Sequence, residues 1–289
     1  MSLAATDCAE AHGAVVWETC ACLLCGGACH ERVFDSRLPC SVVRCKNCDL
    51  VFTNPRPAAS SIAAFYPKEY RCHQGRVDAE KRVDPLAAYL PRRPGRLLDF
   101  GCGGGDFLAR MRRAGWEVVG LDVSTSAVER VRDHLGLQAH IGTLPCPAWP
   151  NDCFDAITMR QSLEHVHDPL GVIRDARRLL RPGGTLLVTV PNFASLASSC
   201  FGSAWYGLDL PRHLTHFTPS TLSAILGTAG FESIEWWQER HHSWIRHSAQ
   251  RSHGFLAGIA RTRLGSGIMG IVGRMWDRAD GIIARAVRR

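Results

Sequence analysis

Residues 97–111 read LLDFGCGGGDFLARM, an apolar run followed by spaced glycines and the start of a predicted helix. A dinucleotide fingerprint, G-x-G-x-x-G, that began at Gly101 would need glycine where Asp106 stands. One that began at Gly103 would need glycine at Leu108, and no Gly-Lys-Ser/Thr follows to make a phosphate-binding loop. The turn therefore predicts a ligand without a pyrophosphate that lies against bare backbone, namely a nucleoside with a zwitterionic tail.

Strands and helices alternate on either side of this turn. The predicted strands are RLLDF, WEVVGLD, LQAHIG, FDAITMR, TLLVTVPN and FESIEWWQ, mostly with a helical segment between one and the next, and DGIIARAVRR is a candidate last strand. Strands that alternate with helices of 10–15 residues indicate βαβ units. We therefore expect an α/β fold with a doubly wound, mostly parallel sheet.

Asp122 ends the second of these strands, 21 residues after Gly101. A carboxylate at this spacing is placed to accept hydrogen bonds from both hydroxyls of a ribose. The motifs DFGCGGG, LDVS, FDAITMRQSLEHVHDP and LLRPGGTLLVTVPN together resemble those of class I S-adenosylmethionine (SAM)-dependent methyltransferases, over about residues 91–240. The resemblance implies a Rossmann-like methyltransferase fold with a seven-stranded sheet and SAM as the methyl donor.

The resemblance also implies which residues contact SAM. They are Asp99, Gly101, Gly103 and Gly105 for the methionine part, Asp122 and Val123 for the ribose side, Thr143 and Leu144 for adenine, and Gln161 and Ser162 for the methionyl moiety. The family often has a Gly-Asp dipeptide where this chain has Gly142-Thr143. A hydroxyl or a backbone carbonyl would then replace the usual carboxylate contact to the adenine amino group.

Thirteen cysteines are many for a chain of this size, and four of them form two pairs. The pairs Cys22-x2-Cys25 and Cys45-x2-Cys48 are separated by nineteen residues, a spacing that predicts a four-cysteine zinc ribbon. Four thiolates leave no open coordination position, so this zinc would be structural. In one alternative another residue replaces one of these four cysteines as a zinc ligand. In the other, the cysteines are free and buried and hold no metal. Candidates for a swap are Cys20, Cys29, His30 and Cys40.

The ribbon is followed by LVFTNPRP and AFYPKEY. This order of modules resembles bacterial methyltransferases of sugar, surface-polysaccharide or secondary-metabolite pathways. The resemblance implies that Tyr66 and Tyr70 lie on a lid over the donor, although two tyrosines at helical spacing are more often core residues.

Histidines after two of the predicted strands are candidates for proton transfer. A sulfonium methyl is already activated, so the enzyme must align a nucleophile and usually take a proton from a hydroxyl. We favour His213 as the base, because PRH followed by HF marks a substrate-side loop in similar enzymes, with His216 and His165 as further candidates. Each could instead be structural. The stretch LEHV resembles a motif of many relatives, and in some ubiquinone-pathway O-methyltransferases a divalent ion is held there with the help of an additional acid. This chain has Gln161 at the position of that acid, which argues against a catalytic metal.

Composition limits the partners and the location. The first sixteen residues lack the features of a secretory signal, and no apolar run approaches the ~20 residues of a membrane span, so we expect a cytoplasmic protein. From residue 241 onward the chain has nine Arg, no Lys and two Asp, so this tail carries a net charge of +7, equal to that of the whole chain. We expect no nucleic-acid partner, since its basic residues would be spread over a folded face. The tail could pack on its own domain, form a homodimer contact or touch an anionic membrane surface.

We therefore expect a zinc ribbon at 17–53, a connector with lid helices at 54–90, a SAM-binding domain at 91–240 and a basic helical segment with a last strand at 241–289. The predicted function is methyl transfer to a small-molecule acceptor, with O-methylation in a secondary-metabolite or sugar pathway favoured. One alternative is N- or C-methylation of a nucleotide-linked sugar. The other is a non-catalytic zinc-ribbon binding module whose SAM site no longer turns over.

Overall fold

The computed structural model describes residues 15–66 and 84–289. Its strands are β1 Trp17–Glu18, β2 His30–Asp35, β3 Ser41–Cys45, β4 Val51–Thr53, β5 Arg56–Pro57, β6 Arg96–Phe100, β7 Glu117–Asp122, β8 Gln138–Ile141, β9 Phe154–Arg160, β10 Leu180–Pro191, β11 Thr215–His216, β12 Ser233–Glu239 and β13 Gly281–Val287. Its α-helices within those ranges are α1 Asp106–Arg113, α2 Thr125–Asp133, α3 Pro169–Leu179, α4 Leu196–Phe201, α5 Pro219–Thr228, α6 His242–Arg251, α7 Phe255–Ala260 and α8 Arg263–Met275.

A seven-stranded sheet of order β12-β13-β10-β9-β6-β7-β8 forms the centre of the fold. β6, β7, β8, β9 and β10 pair in parallel, whereas β13 is antiparallel to both β10 and β12. The chain runs outward from β6 to β8 and then returns to β9 on the other side of β6. Doubly wound sheets bind their ligands at such a switch point, beyond the carboxyl ends of the strands. The predicted α/β fold is therefore confirmed, and the sheet places the turns after β6 and β9 side by side.

A second, four-stranded antiparallel sheet has the order β11-β4-β3-β2. β2, β3 and β4 come from the predicted ribbon, but β11 comes from the loop before α5, with Thr215 paired to Phe52. Leu50 and Phe52 share one buried cluster with Phe217 and other residues of the large domain. The cysteine-rich module thus has no separate core of its own.

Local signals explain where several helices begin and end. α1 starts after Gly105 in the left-handed region, and the Asp168 side chain caps α3 by accepting a hydrogen bond from the Gly171 N–H. The sequence pattern predicts that α3 runs as far as LLRPGG, but α3 ends at Leu179 and β10 begins at Leu180. Pro182 cannot continue a helix because it lacks an N–H and its ring clashes with the preceding turn.

The two outer regions have distinct structures. The connector contains short 3-10 helices at Ile62–Phe65 and Pro85–Tyr89, and Tyr70 lies outside the described residues. Between β12 and β13 the chain forms α6, α7 and α8, and β13 then enters the sheet between β12 and β10. Within residues 15–66 and 84–289, every helix is too short or too polar to cross a bilayer.

Candidate functional site

The turn after β6 requires its glycines. Gly101, Gly103 and Gly105 have φ angles of +73°, +50° and +83°, a left-handed conformation that other residues rarely adopt. A Cβ added to Gly101 would lie 2.6 Å from the Cβ of Ser162, and one added to Gly105 would lie 2.7 Å from Val131. The bare backbone is therefore needed both for the turn and for its close approach to the loop after β9.

Asp122 connects this turn to the end of β7. Its Oδ2 accepts a hydrogen bond of 2.8 Å from the Gly103 N–H, and its Oδ1 accepts one of 2.8 Å from the Ser124 N–H. Each carboxylate oxygen has two lone pairs, so both retain an acceptor site for a ribose hydroxyl. Val123, which follows, is 74% exposed and offers an apolar surface at the same edge.

Asp99 lies at the carboxyl end of β6, opposite Thr158 of β9. The Thr158 hydroxyl donates a hydrogen bond of 2.6 Å to Asp99 Oδ1. Burial raises the pKa of the Asp99 carboxyl to about 6, although the Arg160 guanidinium and the Thr158 hydroxyl oppose the rise. An ammonium group bound nearby would favour the ionised form of Asp99, as the predicted role beside the methionine amino group requires.

Thr143 and Leu144 lie after β8 on the same side of the sheet, since the Gly142 N–H donates to the Asp122 carbonyl at 2.9 Å. The Leu144 side chain is only 2% exposed and belongs to the core. The Thr143 hydroxyl donates to the Leu144 carbonyl at 3.3 Å. The polar groups that this stretch offers to a base are thus the Thr143 hydroxyl and backbone atoms.

Gln161 and Ser162 form the loop after β9. Gln161 has a φ of +50°, its N–H donates to the Thr189 carbonyl at 2.8 Å, and its side-chain amide lies 3.4 Å from the Thr189 hydroxyl. The Ser162 hydroxyl donates to the Phe100 carbonyl at 3.0 Å. These bonds fix the loop against both neighbouring strands, where the resemblance predicts the methionyl moiety.

The predicted base, His213, is brought next to His165. Their rings meet edge to face with centroids 4.6 Å apart. Nδ1 of His213 lies 2.8 Å from the Gly207 carbonyl, so Nδ1 carries the hydrogen and the Nε2 lone pair stays open. Asp209 Oδ2 lies 3.7 Å from that Nε2. Burial lowers the pKa of His213, so the ring is neutral at physiological pH.

His165 is held from two sides. Its Nδ1 lies 3.1 Å from the Arg212 carbonyl and 3.0 Å from the Tyr66 hydroxyl. Burial, together with the neighbouring His213, lowers the pKa of His165 to about 3. Tyr66 thus contacts a predicted site residue, and burial raises the pKa of its phenol.

His216 lies against the small sheet instead. Its Nε2 is 3.1 Å from the Thr53 hydroxyl, and that hydroxyl donates to the His213 carbonyl at 2.7 Å. His216 must therefore donate its own Nε2–H to Thr53, which leaves that nitrogen without a free lone pair. Burial lowers the pKa of His216 to about 3. This arrangement favours a structural role for His216 between β4 and β11.

Glu164 is buried, and both of its carboxyl oxygens lack a hydrogen-bond partner among the described residues. Burial raises the pKa of Glu164 to about 8, which favours the protonated carboxyl near neutral pH. Glu164, His165 and His213 also bring ligand atoms within 4.8 Å of one another, so the same carboxyl could instead meet a cation. The amide of Gln161 lies against Thr189 and does not join this group.

Sequence reasoning missed two contributors to the site. Asp209 lies beside His213, and Arg212 Nη2 holds Asp209 Oδ1 at 2.6 Å. Burial would raise the pKa of Asp209, but His213 and Arg212 outweigh it and lower that pKa. The four-residue spacing from Asp209 to His213 was the available signal.

The four predicted zinc ligands come together near the start of the described chain. The Sγ atoms of Cys22, Cys25, Cys45 and Cys48 lie within 4.8 Å of one another, with Cys22 and Cys48 at 3.4 Å and Cys25 and Cys45 at 3.5 Å. A tetrahedral zinc with Zn–S bonds of ~2.3 Å spaces its sulfurs by ~3.8 Å. The Asn47 N–H points at Cys45 Sγ, 3.4 Å away. The group therefore fits a zinc ion in ligand type and spacing.

The glycine turn, the strand-end carboxylate and the sheet order together define a SAM-dependent methyltransferase of the Rossmann-like type. The family model described as "Methyltransferase domain" matches residues 71–235. The chain belongs to the class I SAM-dependent methyltransferases.

Comparisons with individual proteins agree with this family. The chain is similar to the ubiquinone biosynthesis O-methyltransferase of Xanthomonas campestris pv. campestris (strain B100), with 35% identity over 161 residues that cover 51% of this chain and 67% of that protein. The enzyme of the same description from Cereibacter sphaeroides (strain KD131 / KCTC 12085) is 32% identical over 162 residues, 52% of this chain and 65% of that protein.

Two solved structures show the same fold. A SAM-dependent methyltransferase from Thermotoga maritima has a TM-score of 0.52 at 18% identity and covers 73% of this chain and 88% of its own. The [4+2]-cyclase SpnF has a TM-score of 0.52 at 24% identity, over 72% of this chain and 80% of its own. Identities this low describe architecture and leave the reaction to be argued from the site.

Proposed function

We propose that the protein transfers the methyl group of SAM to a hydroxyl oxygen of a small metabolite, in a secondary-metabolite or sugar pathway, and that His213 takes the hydroxyl proton. The single observation that carries this proposal is the state of the His213 ring. Its Nδ1–H is committed to the Gly207 carbonyl at 2.8 Å, and its Nε2 lone pair remains available beside Asp209. The relatives described as O-methyltransferases support oxygen as the acceptor atom.

SAM supplies a sulfonium methyl whose leaving thioether needs no acid. The work left to the chain is to hold the donor, place the acceptor oxygen in line and receive its proton. Asp122 and the 101–105 turn would hold the nucleoside, and the loop of Gln161 and Ser162 would border the methionyl part. As the oxygen attacks, its proton passes to His213 Nε2, and the Asp209 carboxylate stabilises the imidazolium that forms.

The directions of the histidine pKa shifts agree with these roles. Burial keeps His213 neutral, so it can accept a proton at neutral pH. The Asp209 carboxylate lies 3.7 Å from the nitrogen that becomes charged, and it raises the pKa of His213 against the burial that lowers it. His165 would remain uncharged and pack between His213 and Tyr66.

A panel of acceptors tests the proposal. Phenols, catechols and nucleotide-linked sugars are incubated with methyl-labelled SAM, and the position of the label is read by mass spectrometry and NMR. We expect the label on oxygen, and His213→Ala should lower kcat by about 10²–10⁴-fold with unchanged SAM affinity. His134→Ala, at an exposed position at the end of α2, is the matched control and should keep full activity.

Three results would contradict the proposal. Label on nitrogen or carbon would favour the alternative of sugar N- or C-methylation. Full turnover by His213→Ala would show that His213 is not the base. SAM binding without transfer to any acceptor in the panel would favour a binding module.

We also propose that Cys22, Cys25, Cys45 and Cys48 hold one structural zinc. Their ligand atoms lie within 4.8 Å of one another, and the described cysteines form no disulfide. The small sheet next to this group presents Thr53 to His213 and His216. Zinc would thus stabilise the small sheet that packs against His213 and His216, without taking part in the chemistry.

A further inference from the structure

The α7–α8 hairpin presents its large apolar side chains outward. α8 buries Gly265, Ser266, Gly270 and Gly273. Met269 packs partly buried against the domain, but most large residues of α8 lie on the other side, and Leu264 and Met275 are 76% and 75% exposed. In α7 the buried residues are likewise small, namely Ala257 and Ala260. The exposed apolar residues of this hairpin are Phe255, Leu256, Ile259, Leu264, Ile268, Ile271, Met275 and Trp276. An amphipathic helix on a soluble protein normally buries such a stripe.

The orientation of α8 is fixed by its small residues. A Cβ on Gly265 would clash with the Ile259 carbonyl, and one on Gly270 would lie 2.8 Å from the His242 ring. One on Gly273 would lie 3.0 Å from the Arg278 carbonyl. The helix therefore cannot rotate to bury its apolar stripe against the domain without severe overlap. The outward stripe is part of the packed structure.

Arginines lie beside the exposed apolar stripe of α8. Residues 241–276 contain five arginines and no Asp or Glu. At about 100° per residue, Leu264, Ile268, Ile271 and Met275 fall within a sector of about 60°, and Arg263 and Arg274 lie about 90° to one side. Arg263 and Arg274 are both exposed. The face is thus apolar at its centre and cationic at its edge, with an exposed tryptophan at the end of the helix.

We propose that this face docks the protein on an anionic lipid surface, with α7 and α8 lying in the plane of the interface. Helices that lie in an interface combine aromatic and aliphatic residues on one face with arginines or lysines beside them. A second copy of the chain fits less well. A twofold contact would bring together two segments whose charged residues are all arginines, and these would repel each other. The segment also lies beyond residues 71–235, which the family model matches.

Vesicle flotation with the full-length protein tests this inference. We expect binding to vesicles of phosphatidylcholine with one third phosphatidylglycerol, little binding to phosphatidylcholine alone, and release by salt. Removing the charges in Arg263→Gln/Arg274→Gln should weaken binding about 25-fold, at about fivefold per arginine. Leu264→Gln/Ile271→Gln should weaken it as well. The control Arg37→Gln/Arg112→Gln removes the same charge at exposed positions elsewhere and should bind normally.

Folding and depth are checked separately. All substituted residues are exposed, so the thermal unfolding of each variant should match that of the parent. Brominated lipids should quench the parent more than Trp276→Phe, because Trp276 would lie among the acyl chains. Equal binding of the arginine pair and its control would overturn the proposal, as would no vesicle binding at all. A dimer in analytical ultracentrifugation that Leu264→Gln/Ile271→Gln dissolves would show that a second copy covers this face.

Discussion

Replacing Gly101 with alanine tests whether the turn after β6 must approach the loop after β9 as closely as the structure shows. Two costs follow from the geometry. Alanine at a φ of +73° costs about 1–2 kcal/mol. Its Cβ would also lie 2.6 Å from the Cβ of Ser162, an overlap that costs about 1–3 kcal/mol in a packed site. We expect Gly101→Ala to lower the free energy of unfolding by about 2–5 kcal/mol and to weaken SAM binding.

Gly136→Ala is the matched control. Gly136 has a φ of +62°, but a Cβ there would have no neighbour within 4 Å, so only the backbone cost of about 1–2 kcal/mol applies. Urea denaturation with and without SAM measures both variants. In a Ser162→Gly background, which loses the hydroxyl bond to the Phe100 carbonyl in both proteins compared, Gly101→Ala should cost about 1–3 kcal/mol less, because the overlapped Cβ is gone. Equal costs for Gly101→Ala and Gly136→Ala, or no rescue, would refute the reasoning.

Three further predictions concern other parts of the site. Because the pKa of Asp99 is about 6, protonation below that pH removes the charge that would face the donor ammonium. SAM affinity measured by calorimetry should therefore fall by up to about tenfold per pH unit below 6. Asp99→Asn should bind SAM weakly at every pH. Cys45→Ser should lower the zinc content measured by plasma mass spectrometry to well below one per chain, while Cys29→Ser, at an exposed cysteine outside the group, should not. Thr53→Val should cost about 2–3 kcal/mol in urea denaturation, since it leaves the buried His216 ring N–H without its acceptor; a cost near zero would contradict the bonding assigned to His216.

The parts of the fold that local spacing determines could be predicted from the sequence. Alternating strands and helices fix the sheet type, and the distance from Gly101 to Asp122 places both residues at the carboxyl edge of neighbouring parallel strands. The two cysteine pairs were recognisable for the same reason, because a two-residue spacer determines their local geometry.

Contacts between distant parts of the chain could not be predicted in this way. His216 meets Thr53 across 163 residues, and nothing in PRHLTHF indicates that partner. The burial of Glu164 beside His165 and His213 depends on how the loop before β11 folds back over the loop after β9. The outward stripe of α8 contradicts the usual rule of burial, because its glycine face packs more closely than a leucine face could.

The central claim is that the 101–105 turn and Asp122 together bind a sulfonium nucleoside. The most direct measurement is calorimetric titration of SAM, S-adenosylhomocysteine, NAD and ATP into the parent protein and Asp122→Asn. We predict micromolar binding of SAM and S-adenosylhomocysteine, negligible binding of NAD and ATP, and a loss of about 10–100-fold in Asp122→Asn, because a hydrogen bond to a charged group is worth about 1.5–3 kcal/mol. Tighter binding of NAD or ATP than of SAM, or unchanged SAM affinity in Asp122→Asn, would contradict it.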